Sequence, residues 1–275
     1  MQDLQKRPIP STKEMLPIVG LGTWETFDVT PKGEEQSQLK DVLKTLVSKG
    51  ASVVDSSPMY GNAERIVGEL SQELDINKQL FVATKVWTSG QAEGIKQMER
   101  SFLLFKRKTI DLLQVHNLMD WQTHLKTLND WKEQGRVRYV GLTHYLDSAH
   151  ETIESIITKH SIDFIQINYS VNSRNAEKRL LKVAADKNVA VLINRPFEEG
   201  ALFNRVKGKP VPEWAKAFDC ESWGQVFLKF ILSNPHVTCV IPGTSKVKHL
   251  LDNLGAALGR LPSEKERQRI VEALS

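Results

Sequence analysis

Eight short runs rich in branched and apolar residues recur along the chain, at 20–23, 52–56, 80–86, 110–116, 139–144, 164–169, 190–195 and 239–242. Helical patterns alternate with them, at 36–48, 63–74, 91–105, 122–133, 148–159, 175–186, 222–232 and 247–258. In the first of these, Leu39, Val42, Leu43, Leu46 and Val47 fall on one face, as a helix buried on one side requires. Near-continuous apolar strands between amphipathic helices indicate a parallel sheet covered by helices, because neither sheet face reads as wet. Eight such units close into a barrel more readily than they form an open doubly wound sheet. The expected class is therefore α/β, a (β/α)8 TIM barrel. At 275 residues the chain matches the roughly 250 of one such barrel, so residues 1–275 are read as a single domain. Two short runs before the barrel, 6–10 and 16–19, joined by the polar link 11–14, read as an N-terminal β-hairpin plug. A short C-terminal helix is expected over 263–274, where Ser263 and Glu266 have the spacing of a capping box. The one long connection, 197–221, carries Pro210, Pro212, Trp214 and Phe218 and reads as a partly ordered flap over the barrel top.

The rival fold, an open dinucleotide-binding sheet, needs G-x-G-x-x-G after its first strand. Gly20-Leu21-Gly22 is followed by Thr23-Trp24-Glu25, with no third glycine in place. Composition narrows the classes further. Apolar residues at 40% and charged residues at 25% exclude disordered, collagenous and disulfide-scaffold chains. Lys and Arg exceed Asp and Glu by 37 − 33 = 4, too few and too scattered to make nucleic acid the partner. No stretch approaches 18 apolar residues, so no membrane partner is expected. Two cysteines, Cys220 and Cys239, lack zinc-site spacing and read as buried free thiols of a cytoplasmic protein.

In such barrels chemistry sits at the C-terminal ends of the strands. The second run ends in Asp55 and its loop carries Tyr60; the third ends in Thr84-Lys85; the fourth ends in Gln114-Val115-His116. Taken singly, Asp55 and Lys85 read as a structural ion pair, Tyr60 as a packed aromatic and His116 as a core histidine. Together they suit carbonyl chemistry. A protonated Lys85 held by Asp55 is expected to lower the pKa of a buried phenol from about 10, fitting Tyr60 to donate a proton. A neutral His116 offers a hydrogen bond to the same substrate oxygen.

The segment Asp55-Ser-Ser-Pro-Met-Tyr60-Gly61-Asn62-Ala-Glu64, with Thr84-Lys85, His116, Gly135-Arg-Val-Arg-Tyr-Val-Gly141 and Ile241-Pro242-Gly243-Thr244, resembles the aldo-keto reductase family over essentially the whole chain. The resemblance implies that a nicotinamide dinucleotide binds across the barrel top and that its hydride reduces an aldehyde or ketone. In that reading Tyr60 is the general acid, Lys85 and Asp55 tune it, His116 orients a small carbonyl substrate, and no metal is required. The cofactor would meet Gly22, Thr23 and Trp24 after the first strand. Its carboxamide would meet Thr143, which keeps the family's hydroxyl, His144, which stands where the family has an amide, and Gln166. After the seventh strand the chain reads Asn194-Arg195-Pro196-Phe197 where many relatives place a stacking aromatic; either Arg195 or Phe197 substitutes, or the ring is held less firmly. After the eighth strand the resemblance assigns Gly243, Thr244, Ser245, Lys246, His249, Asp252 and Asn253 to the cofactor. Selective relatives often place a Lys and an Arg where this chain has Gly243 and His249, so a modest preference for NADPH is expected, with NADH as the second cofactor. Trp24, Met59, Trp87, Asn117 and Trp121, just beyond the strand ends, are expected to line an apolar substrate cleft. The short C-terminal segment leaves this cleft open, and a monomer is expected.

Other functions compete. A Schiff-base lyase would use Lys85 as an unprotonated amine, which Asp55 opposes. A metal hydrolase would draw on Asp55, His116 and His144, without the His-x-His that such sites place on the first strand. The non-enzymatic alternative is a dinucleotide-binding, redox-sensing or regulatory subunit with slow turnover.

Overall fold

The computed structural model describes residues 3–30 and 33–274. The hairpin strands β1 (Lys6–Pro8) and β2 (Met15–Pro17) pair antiparallel, and the barrel strands follow. These are β3 (Leu21–Gly22), β4 (Val53–Asp55), β5 (Phe81–Val86), β6 (Ile110–His116), β7 (Val137–Thr143), β8 (Phe164–Asn168), β9 (Ala190–Asn194) and β10 (Cys239–Val240). They form one parallel eight-stranded sheet in sequence order. It closes where Gly20 N–H donates to Val240 O (2.8 Å) and Gly22 N–H to Pro242 O (3.1 Å). A Cβ on Gly22 would sit 2.7 Å from Ile241 O, so the closing seam needs glycine there. The helices are α1 (Glu34–Ser48), α2 (Ala63–Glu73), α3 (Gln91–Phe105), α4 (Trp121–Glu133), α5 (His150–Lys159), α6 (Asn175–Lys178), α7 (Leu180–Asp186), α8 (Ala201–Arg205), α9 (Trp223–Leu232), α10 (Val247–Gly255) and α11 (Glu264–Ala273).

The period of two along each strand sorts side chains between two apolar clusters. Val53, Phe81, Ala83, Leu112, Tyr139, Phe164, Ala190 and Leu192 point inward, and Ile9 and Leu16 of the hairpin join them from below. Each fully buried aliphatic plug residue is worth about 1.5–3 kcal/mol of burial. Val54, Val82, Leu113, Val115, Val140, Ile165, Val191 and Ile193 point outward against the helices. Two residues beyond the inward set, the same face carries Asp55, Lys85, Gln114, Gln166 and Asn194, and His116 follows two beyond Gln114. The alternation that fills the core therefore delivers polar groups to its upper end.

The single helix expected over 175–186 is broken. Arg179 (φ −149°, ψ −52°) separates α6 from α7, and Glu177 of α6 is tied to Arg267 of α11 and to the Tyr169 hydroxyl. The run 148–159 opens as a 3-10 turn, Asp147–Ala149, before α5. The connection 197–221 holds α8 between two 3-10 turns, Glu198–Gly200 and Glu213–Phe218, and Trp223 Nε1–H pins it through Lys209 O (3.0 Å). Ser263 and Glu266 form the reciprocal cap on α11. Cys220 and Cys239 are buried and unpaired. No helix among the described residues is long and apolar enough to cross a membrane.

Gly68 marks where α2 crosses α3: an added Cβ would lie 1.9 Å from Leu104 O, a backbone atom that cannot step aside alone. Gly68→Ala is expected to destabilise the protein by about 1–3 kcal/mol, the usual cost of overpacking. At about 2–4 °C per kcal/mol, calorimetry should show a clear fall in Tm; an unchanged Tm would mean that α2 and α3 can separate freely.

Candidate active site

The parallel register sets the inward polar groups side by side. Gly22 is level with Asp55, Lys85 with Gln114, His116 with Thr143, Thr143 with Gln166, and Asn168 with Asn194. At the centre Lys85 Nζ donates to Asp55 Oδ2 (2.7 Å) and to Ser56 O (2.7 Å). Both side chains are buried, with exposures of 0% and 4%, so the pair has no solvent to screen it. Burial pulls the Lys85 ammonium down, but Asp55 and Tyr60 outweigh it and hold its pKa above the ordinary value. The free amine that a Schiff-base lyase needs is thereby disfavoured. The remaining Asp55 oxygen accepts from Gln166 Nε2 (2.7 Å) and Gln114 Nε2 (3.3 Å).

Tyr60 stands over this pair, with Lys85 Nζ 5.0 Å from its ring centroid. The sequence led to a phenol with a lowered pKa; the structure raises it. Burial is the largest cause and the Asp55 charge adds to it, while Lys85 opposes them without prevailing. The phenol therefore stays protonated through the neutral range. His116 meets Tyr60 edge-on, at 6.1 Å and 84°, and its Nδ1 lies 3.1 Å from Ser57 Oγ. Burial, then the Lys85 charge, pushes its pKa down to about 3, so the imidazole is neutral.

Above these groups opens a cavity of about 710 Å³. Of the sequence candidates, Gly22, Thr23, Trp24, Asp55, Met59, Tyr60, Trp87, His116, Asn117, Thr143, Gln166, Asn194, Arg195, Pro196, Phe197 and Gly243 line it. Lys85 lies beneath the lining, on Asp55. Trp121 is outside the lining and packs edge-on against His160 at 5.2 Å. His144 also falls outside: its Nδ1 accepts from Tyr145 N–H (3.1 Å) and Leu146 N–H (3.2 Å) of its own loop. Thr244, Ser245, Lys246, His249, Asp252 and Asn253 continue beyond the cavity into α10. Thr244 Oγ1 accepts from Lys246 N–H (3.1 Å), and Asp252 accepts from Ser222 Oγ (2.8 Å) and Gln225 Nε2 (3.0 Å). Among the described residues no three His, Cys, Asp or Glu side chains converge to hold a metal.

The end of β9 has the acceptor that a primary carboxamide needs. Asn194 Nδ2 donates to His144 O (3.3 Å), while Asn194 Oδ1 is buried without a partner. Gln166 Oε1 already accepts from Thr143 Oγ1 (3.2 Å), so Asn194 Oδ1 is the open acceptor of this trio. A primary-amide N–H is the kind of donor that would satisfy it.

Several site residues escaped the sequence reading. Tyr145, 42% exposed, puts an aromatic face in the cavity two residues beyond Thr143, with the Arg195 guanidinium 5.2 Å from its centroid. Glu199, Gly200 and Phe203 line the cavity from the connection after β9, and Glu199 pairs with Arg195 (2.6 Å). Glu64, quoted only as motif, is buried behind the site and accepts from Thr84 Oγ1 (2.5 Å); burial holds its carboxyl above the ordinary range. Gln114 was findable, since it sits two residues before His116 on the inward face.

Residues 18–274 match the profile of the Aldo/keto reductase family. Among relatives, the NADH-specific methylglyoxal reductase of Escherichia coli (strain K12) is 26% identical over 246 residues, spanning 78% of this chain and 74% of that protein. Among solved structures, a thermostable aldo-keto reductase in complex with the inhibitor epalrestat has a TM-score of 0.81 at 24% identity, over 99% of this chain and 100% of that one. An aldo/keto reductase from Klebsiella pneumoniae in complex with NADP and acetate has a TM-score of 0.79 at 21% identity, over 98% and 95% of the two chains.

Proposed function

The chain belongs to the aldo/keto reductase family, and from that premise we propose that it reduces aldehydes or ketones to alcohols with a reduced nicotinamide dinucleotide, Tyr60 being the proton donor. The convergence of Tyr60, His116 and the buried Lys85–Asp55 pair at the floor of one cavity carries this reading. The dinucleotide, when bound, supplies the hydride. Asn194 Oδ1 would accept from its carboxamide, and Thr143 and Gln166 hold Asn194 and Asp55 in place. Trp24, Met59 and Trp87 offer the substrate apolar walls at the cavity mouth. Tyr60 gives its proton to the carbonyl oxygen as negative charge gathers there. Lys85 favours the phenolate left behind, and Asp55 keeps Lys85 charged.

A panel of aromatic aldehydes and dicarbonyls, followed by loss of dinucleotide absorbance, tests the reading. Turnover near the median enzyme value of about 10 s⁻¹ supports it. Tight dinucleotide binding with negligible turnover across the panel would favour the regulatory alternative.

We assign the cofactor as NADPH, with a modest preference over NADH. Supporting this, α10 begins without a side-chain cap, leaving its first N–H groups open to an anion, and Lys246, Lys248 and His249 are exposed beside them. The Klebsiella pneumoniae protein holds NADP, whereas the Escherichia coli relative is NADH-specific. If His249 donates to the 2′-phosphate, its removal is expected to lower the NADPH-to-NADH affinity ratio. Dissociation constants for both dinucleotides in wild type and His249→Ala check it. An unchanged ratio in the variant removes His249 from the site.

A further inference from the structure

We propose that Ser57 is a positioning residue that fixes the tautomer of His116: its hydroxyl donates to Nδ1, so that the ring proton sits on Nε2 and faces the cavity. The inference deepens the carbonyl-reductase reading, on which its functional consequence rests, but the tautomer itself can be measured without any substrate.

The argument is one of proton accounting in a closed space. Ser57 is fully buried, and among the described residues the only groups within hydrogen-bond distance of its Oγ are His116 Nδ1 (3.1 Å) and the Met59 backbone N–H (3.4 Å). The Met59 N–H can only donate, so it uses an Oγ lone pair and offers no acceptor. The Ser57 proton therefore has one destination, the lone pair of Nδ1. The opposite arrangement, Nδ1–H donating to Oγ, would strand a hydroxyl proton in the interior with no acceptor, which folded proteins avoid. His116 is neutral and has a single ring proton, so a bare Nδ1 requires Nε2–H.

The ring has little freedom to undo this choice. Tyr60 stands edge-on to it at 6.1 Å and Trp87 tilts over it at 6.4 Å and 59°. His116 lines the cavity and no group among the described residues bonds its Nε2, so that N–H is the one presented there. A substrate oxygen beside Tyr60 would then receive two donors, the phenol and Nε2–H. With the other tautomer, a bare Nε2 lone pair would face that oxygen and repel it as it gains negative charge. Ser57 thus decides whether His116 helps or hinders, although it touches neither substrate nor cofactor.

The test is long-range ¹H–¹⁵N correlation NMR on the full chain labelled with ¹⁵N-histidine, the His116 signals being assigned by their loss in His116→Gln. Wild type is expected to show protonated Nε2 and bare Nδ1 from about pH 5 to about pH 9, well above the pKa of about 3. Ser57→Ala should shift the population toward Nδ1–H, and Ser57→Thr, which keeps the hydroxyl, should restore it. In the same variants kcat/KM for a carbonyl should fall at least about tenfold in Ser57→Ala and recover in Ser57→Thr, with dinucleotide affinity unchanged. The fall should stay below the about 10²–10³-fold cost of losing a transition-state donor outright, because part of the population keeps Nε2–H. Protonated Nδ1 in wild type overturns the proposal even if neither variant folds, and so does an unchanged tautomer in Ser57→Ala. The expected tautomers with no carbonyl turnover in any variant would leave the Ser57–His116 lock standing and reject the reductase reading instead.

Discussion

Replacing Tyr60 by phenylalanine is expected to lower kcat for carbonyl reduction by about 10²–10⁴-fold, the contribution of a positioned general acid, and to leave the dinucleotide dissociation constant within about twofold of wild type. The substitution removes one oxygen and keeps the ring that packs over Lys85 and against His116. The pH profile gives a second check. A donor must be protonated, so reduction is lost only as pH rises through the phenol pKa. Burial raises that pKa above its ordinary value of about 10, so wild-type reduction should show no alkaline limb from Tyr60 below about pH 10. A loss under about tenfold, or a Tyr60-dependent limb near neutrality, would contradict the assignment.

Lys85→Met should be as costly to the rate and far more costly to the fold. It removes the cation that opposes the raised phenol pKa, so that pKa moves further up. In alcohol oxidation Tyr60 must be deprotonated, and the rising limb of that profile should shift to higher pH. The variant also leaves the Asp55 carboxylate, 4% exposed, with Gln114 and Gln166 as its side-chain partners among the described residues. Breaking a buried pair from one side costs about 3–5 kcal/mol, because the remaining charge is unpaired. Adding Asp55→Asn should recover much of that stability and none of the rate. Thermal unfolding and the oxidation profile separate the two effects: an unmoved limb would make Lys85 purely structural, and an unchanged Tm would mean that water reaches Asp55.

Why the barrel was legible and parts of its mouth were not follows from the range of the forces. Strand runs such as Leu112-Leu113-Gln114-Val115-His116 show their character locally, because alternate side chains face two apolar layers and the polar ones fall at the same end of each run. Asp55, Lys85 and His116 could therefore be placed from sequence alone. The break at Arg179 could not, since Glu177 is drawn to Arg267, 90 residues away. His144 had the right position for a cofactor contact, but two backbone N–H groups of its own loop claim its Nδ1. The sign of the Tyr60 shift was missed for a related reason. A neighbouring cation is visible in sequence, whereas the degree of burial that outweighs it is a property of the folded cavity. Tyr145 lies in the loop beyond β7, where no strand alternation marks which way a side chain faces.

The central claim is that this cavity moves a hydride from a nicotinamide dinucleotide to a carbonyl carbon with Tyr60 supplying the proton. The most direct measurement supplies NADPH deuterated at the reactive position of the nicotinamide together with a reducible aldehyde, and reads the alcohol by mass spectrometry. One deuterium on the carbinol carbon with the wild-type protein, and a rate of its appearance at least about 10²-fold lower with Tyr60→Phe, is the predicted result. Alcohol without deuterium, or equal transfer by wild type and Tyr60→Phe, would contradict it.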